Sequence, residues 1–265
     1  MNFYTNVLQY GNSILVREVR NGERTTRRVK YEPTLFDLVK TREETGYKTL
    51  DGKSVLPHHF HSIKEAKQWV ADRENQDIIY GNTQYPYCWI ADEFPKQVGW
   101  DLDQMLMYTI DIEVECENGF PKPEDAAEPM LSITIKNFQS GHIHVWGIGE
   151  FVTEREDVTY VQCESEVHLF KEFLAFWENN TPDIITGWNT EFFDIPYLVN
   201  RIRNVFDDDE TKRLSPWKNV FAREVYKMGR THQSYTLDGI SALDYLDLYK
   251  KFTYTNQERY TLDHI

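Results

Sequence analysis

The sequence predicts an α/β (α+β) chain in two parts: a small mixed domain rich in strands over residues 1–104, then a mixed sheet flanked by helices over residues 105–265. Three observations predict it. Two strand-like runs in 13–32 flank Asn21-Gly22, the dipeptide best suited to a tight hairpin turn. Between 106 and 148, three segments alternate apolar and polar residues at the period of two that a strand requires. From 165 to 206 the period changes to that of helices, interrupted by one short apolar run.

The elements follow in order. "SIKEAKQWVADREN" (62–75) reads as a helix capped by Ser62, with Ile63, Ala66, Trp69 and Val70 on one face. "IIYGNTQYPYCWIADEF" reads as a return to strand and turn. "LMYTIDIEVE" (106–115) is a strand, and "LSITIKN" (131–137) and "HIHVWGI" (142–148) form a hairpin about Gln139-Ser140-Gly141. "SEVHLFKEFLAFWENN" (165–180) is a helix capped by Ser165, with a stripe of Phe170, Phe173, Leu174 and Trp177. "DIITGW" (183–188) is a short buried strand. A second helix at 194–206 opens on Asp194, tolerates Pro196 in its first turn, and turns Leu198, Ile202 and Val205 inward. "SALDYLDLYKKFT" (241–253) is a further apolar segment, and "YTLDHI" (260–265) looks like the first turn of a helix capped by Thr261.

Composition narrows the classes of function. A net charge of -14 over 265 residues provides no general basic field for phosphate, so a nucleic-acid partner needs local contacts or a metal. Cys88, Cys116 and Cys163 are odd in number and far apart, which argues against a disulfide framework or a zinc ribbon and fits a reducing cytoplasm. Apolar runs never approach the ~18 residues of a membrane-spanning helix.

Asp111, Glu113 and Glu115 stand at alternate positions of the strand at 106–115. Residues i and i+2 project to one face, about 6.6–6.8 Å apart. Asp111 and Glu113 can therefore offer hard oxygen ligands to Mg²⁺ or Mn²⁺. On these residues alone, a strand with one wet face is the simpler reading, and Glu115 is expected to be such a solvated residue. "TGWNTEFFDIPYLVNR" (186–201) likewise has an ordinary reading, with Asp194 a helix cap, Asn189 a loop residue, and Phe192 and Phe193 core.

Taken together, the "DIE" strand and the later Asn189-x-x-x-Phe193-Asp194-x-x-Tyr197 resemble the first two exonuclease motifs of family B DNA polymerases. "GFPKP", "ITGWN", "KRLSP" at 212–216, "LDYLDLYKKF" with "TNQ" at 243–257, and "EPTLF" at 32–36 extend the resemblance to the T4-like bacteriophage members over essentially the whole chain. The resemblance implies a ribonuclease-H-like 3′→5′ proofreading exonuclease domain after the N-terminal domain. It implies that Asp111, Glu113 and Asp194 are catalytic metal ligands for two Mg²⁺ (or Mn²⁺) ions. Asn189, Phe193 and Phe120 would contact the DNA, Asn189 at the primer end and Phe120 by stacking on a frayed base. Residues 225–241 would form a hairpin with Gly229 at its tip, separating primer from template, although an ordinary surface hairpin is also open. Implied partners are single-stranded and primer-template DNA, the polymerase portion, and through it a sliding clamp and replisome proteins, in the cytoplasm of an infected bacterial host.

The third motif of that family, Tyr-x-x-x-Asp, is expected past Ile265, together with the polymerising domains, so this chain alone is expected to be weak or inactive as a nuclease. The alternative is a non-catalytic front half of a split polymerase that holds single-stranded nucleic acid. Other motifs carry less. "HHFH" (58–61) is expected to be surface histidines in a loop, His142 and His144 exposed strand positions, "DGKS" (51–54) a turn, and "DDDE" (207–210) a solvated run. Arg17, Arg20, Arg24, Arg27, Arg28 and Lys30 concentrate positive charge around the first hairpin and could touch phosphate.

Overall fold

A computed structural model describes residues 2–39, 45–74, 78–117, 119–227, 229–255 and 257–265. The chain divides into two compact units, Met1–Asp101 and Leu102–Ile265.

In the first unit, β1 (Phe3–Tyr10), β2 (Ser13–Arg20) and β3 (Glu23–Lys30) form an antiparallel sheet. Asn21 and Gly22 both take positive φ, 54° and 84°, the pair of angles that a two-residue hairpin turn demands. A second sheet has the order β5 (Tyr47–Lys48), β6 (Ser54–His59), β4 (Thr34–Leu38), β7 (Ile79–Tyr80). Helix α1 (Ile63–Ala71) starts where Ser62 accepts the Glu65 amide, and α2 covers Tyr85–Glu93. Ile14, Val16, Leu35, Phe60, Ile63, Tyr85 and Trp89 make the core.

The α2 helix corrects the strand-and-turn expectation for this stretch. Its aromatic residues suggest a strand, but Pro86 in the first turn starts a helix and Tyr85 and Trp89, four apart, bury one face. The histidines at 58 and 59 likewise lie on β6 and not in a loop, with His58 half-buried against Asp37 and Trp69. Much of the charge of the basic hairpin is engaged within the chain, although Arg24, Arg28 and Lys30 are exposed. Arg17 is buried, Arg20 and Arg27 converge on Glu18 and Glu93, Arg28 bonds Ser13 beside Tyr10, and Lys30 pairs with Glu32.

The second unit is built on a six-stranded sheet ordered β11 (Val158–Cys163), β10 (Ile143–Ile148), β9 (Met130–Asn137), β8 (Met107–Val114), β12 (Ile184–Gly187), β15 (Ser241–Asp244). β8, β9 and β10 are antiparallel neighbours, whereas β12 and β15 run parallel to β8. This mixed sheet flanked by helices is a ribonuclease-H-like arrangement, as the sequence predicts. Helix α3 (Glu166–Asn179) begins where Ser165 accepts the His168 amide, and its Phe170, Phe173, Leu174 and Trp177 are fully buried against the sheet. Helix α4 (Asp194–Val205) buries Leu198 and Ile202 in the same core.

Four details depart from the sequence reading. Strand β11, parallel to β10, is additional. The acidic run begins a one-turn helix, α5 (Asp208–Thr211), because Asp207 accepts the amides of Asp209 and Glu210. Residues 241–253 divide into β15 and the helix α6 (Tyr245–Phe252). His144 is half-buried against Phe176 and Trp146, and burial lowers its pKa. The hairpin strands are β13 (Val220–Lys227) and β14 (Arg230–Leu237), with Gly229 at φ 77° in the turn.

Candidate active site

The site grows from the C-terminal end of β8, the usual place for ligands where parallel strands of a sheet diverge. Along β8 the core takes Tyr108, Ile110 and Ile112, so the intervening Thr109, Asp111 and Glu113 must face outward. β12 follows β8 only as far as the pair Thr186↔Thr109. There the chain turns away, and on that side Ile112 of β8 has no β12 partner. Asp194 takes that place, its Oδ1 accepting the Ile112 N–H at 3.2 Å.

Asp194 is thus not an ordinary helix cap. It is the first residue of α4; the cap position belongs to Phe193, which makes no side-chain capping bond. The carboxylate is buried, and burial, the neighbouring Asp111 charge and the more distant Asp244 push its pKa up to about 7 against the pull of two backbone amides. Asp111 reaches solvent by area, yet the protein packed around its carboxyl raises its pKa also. Among the described residues no lysine, arginine or histidine pairs with either carboxylate. Two acids have been brought together without a compensating cation among the described residues.

Gly187 makes the approach possible. A Cβ there would lie 2.6 Å from the Ile110 carbonyl oxygen and collide with Thr190 Cγ2. After it, Asn189 adopts φ 62°, and its carbonyl accepts the amides of Phe192 (3.2 Å) and Phe193 (3.0 Å) to close the turn that delivers Asp194. Phe193 packs on the core with its ring 5.8 Å from Tyr197 and 5.3 Å from Phe120. Phe120 itself is 83% exposed, an uncovered aromatic face beside the acids' strand. The β13–β14 hairpin is tied to the same turn through Arg223–Glu191 (2.6 Å) and through Lys227, which pairs with Asp247 and sits 4.6 Å over the Phe192 ring.

Of the residues singled out in the sequence, the structure couples Asp111 with Asp194 and Phe120 with Phe193. Glu113 shares the outward face with Asp111, but among the described residues no three Asp, Glu, His or Cys side chains converge as a cation cage. Gly229 stands in the hairpin turn. One residue was missed: Asp244 at the end of β15, buried and bonded to three backbone amides. The available signal was an acid directly ahead of the helical run at 245–252, hidden when 241–253 is read as one apolar segment.

The family model for the exonuclease domain of DNA polymerase family B matches residues 76–265. The chain belongs to DNA polymerase family B. Over 99% of its length it is 34% identical to the DNA-directed DNA polymerase of Escherichia phage RB69 and 31% identical to that of Enterobacteria phage T4, in each case covering 32% of the relative. It is also 31% identical, over 45% of its length, to the DNA polymerase catalytic subunit of Human herpesvirus 7. The chain therefore spans about a third of the length of its phage relatives. Exonuclease domains of family B generally use divalent metal ions. The donor set fits such a group: outward carboxylates on β8 and a buried carboxylate whose charge is opposed only by backbone amides. Among the described residues no helix is long and apolar enough to cross a membrane.

Proposed function

We propose that this chain is the editing part of a replicative family B DNA polymerase, a 3′→5′ exonuclease that removes mismatched nucleotides from a primer end. The observation that carries the reading is the placement of the buried Asp194 on the Ile112 amide of β8, within the field of the Asp111 charge and with no neutralising side chain among the described residues. Structural ion pairs balance their charges; two acids held together are relieved by a bound proton or by an external cation, and above the raised pKa of Asp194 the cation has the place.

Asp111, Glu113 and Asp194 would hold the divalent ions. When bound, such ions supply an activated water and stabilise the leaving 3′-oxygen of a phosphodiester. The chain's own residues do the rest. The Ile112 amide fixes one oxygen of Asp194, and the turn at Asn189 sets where α4 begins. Phe120 offers an exposed ring on which an unpaired base of any identity can stack, worth about 1–3 kcal/mol. Phe193 supports that ring from the core side, and Asn189 meets the primer end. The hairpin with Gly229 parts primer from template. Residues 1–104 form the N-terminal domain and 105–265 the exonuclease domain; primer-template DNA, the polymerising portion and a sliding clamp reached through that portion are the partners.

The test is release of 3′ nucleotides from a 5′-labelled single strand in Mg²⁺, with the polymerising portion added to the chain. Asp111→Ala with Glu113→Ala should lower the rate by at least about 10²-fold. Unchanged digestion by that double variant would sink the reading. A second reading, a module that binds single strands without cutting them, is favoured by the lack of a three-acid cage among the described residues. Binding of the same strand with no Mg²⁺-dependent cutting, even when the polymerising portion is added, would establish it.

A further inference from the structure

Asp244 lies opposite Gly187 in the parallel pairing of β15 with β12, so it ends its strand at the level where the Asn189 turn begins. Its side chain is buried, and three backbone amides from two segments donate to it: Leu246 at 2.9 Å and Asn189 at 3.1 Å to Oδ1, and Glu191 at 3.0 Å to Oδ2. Capping α6 explains only the first of these bonds, because a single acceptor suffices for a helix cap. The other two reach across more than fifty residues to the turn that carries Asn189 and delivers Asp194.

That turn needs an external hold. Asn189 sits in the left-handed region, where a non-glycine residue persists only when its surroundings fix it. From within the turn, only its carbonyl is engaged, by Phe192 and Phe193. Its amide and that of Glu191 both point to Asp244, which closes the front of the turn with a charged acceptor. A neutral amide side chain could accept only one of the two bonds and would present an N–H to the other donor.

We infer that Asp244 is a positioning residue for the exonuclease site, holding Asn189 and the start of α4 where a 3′ end is gripped. The inference rests on the exonuclease reading above and assigns the registration of the primer-end turn to a side chain outside the acids of the motifs.

The experiment compares the wild-type chain with Asp244→Asn and Asp244→Ser. Serine retains a cap for α6 but is too short to bridge two amides, so it separates capping from clamping. Two quantities are read on each protein: amide hydrogen exchange at Asn189, Glu191 and the β12 residue Ile185, and affinity for a linear labelled oligodeoxynucleotide with an uncleavable 3′ linkage against the same sequence closed into a circle. In Asp244→Ser the amides of both 189 and 191, and in Asp244→Asn at least one of them, should exchange about tenfold faster or more, with Ile185 unchanged, and the preference for the linear strand should fall by about tenfold. Wild-type exchange at 189 and 191 overturns the proposal whatever the oligonucleotides do. Faster exchange with an intact linear preference also overturns it, leaving Asp244 a clamp without a part in the grip. Should the wild-type chain itself show no preference for a free 3′ end, the exonuclease reading fails and the proposal falls with it, while the exchange data still report whether the clamp exists.

Discussion

Two charged regions of this chain use the same residue types in opposite ways. Around the first hairpin, the buried Glu18 is met by Arg20 at 2.8 Å and Arg27 at 2.6 Å, and both arginines also reach Glu93. Both acids there are matched by the two arginines, and Arg27 lies 5.3 Å over the Trp89 ring as well. At the end of β8, the Asp111 charge adds to burial in raising the pKa of Asp194, and among the described residues no basic side chain pairs with either acid. The balanced cluster is a piece of structure that a sequence full of arginines made tempting as a phosphate site. The unbalanced one is the candidate site. Charge concentration is a poor guide to binding until the partners are known; charge left over after the chain's own pairing is a better one.

The largest effect expected to sharpen this contrast is on stability against pH. The folded pKa of Asp194, about 7, lies above its ordinary value of 3.8, so the folded chain binds that proton more tightly than the unfolded chain does. Its contribution is full below the unfolded value and is lost as pH rises through about 7, a fall of up to about 4 kcal/mol. Urea unfolding in EDTA should show the decline between pH 4 and 8, and Asp194→Asn should flatten it. An equally steep profile in that variant would place the strained charge elsewhere.

At the balanced cluster, Glu18→Ala should cost about 2 kcal/mol by removing the buried acceptor of two arginines and leaving them only Glu93, with Mg²⁺-dependent behaviour unaltered. A loss of nucleic-acid affinity in that variant would break the comparison. Gly187→Ala should cost about 2 kcal/mol through the clash with Ile110 and Thr190, and should weaken binding of single strands at the same time. Smallest in stability is Phe120→Ala, within about 0.5 kcal/mol because the ring is uncovered, although affinity for a single strand should drop by about 1 kcal/mol. Fluorescence anisotropy and denaturant midpoints measured on the same samples would show whether the two effects separate as expected.

Much of the fold was legible because local periodicity and capping agreed with it. The stripe of α3 and its Ser165 cap, the alternation of β8, and the positive-φ turn at Asn21-Gly22 each depend on neighbours a few residues away. Where local signals conflicted, the reading failed: the aromatic residues of α2 favour strands, and only tertiary burial of Tyr85 and Trp89 decides for helix. The site was legible chiefly through resemblance. Nothing in the spacing says that Ile112 and Asp194, 82 residues apart, share a hydrogen bond, and Asp244 was invisible for the same reason.

The alternation of β8 has one more effect, on folding fidelity. Slipping this strand by a single residue against β9 would drive Asp111 and Glu113 into the apolar interior and strand Ile110 and Ile112 in water. The carboxylates therefore penalise every odd misalignment, and the alanine variants that silence them would also loosen the selection of the correct pairing during refolding. In this strand the chemistry and the address label are written in the same letters.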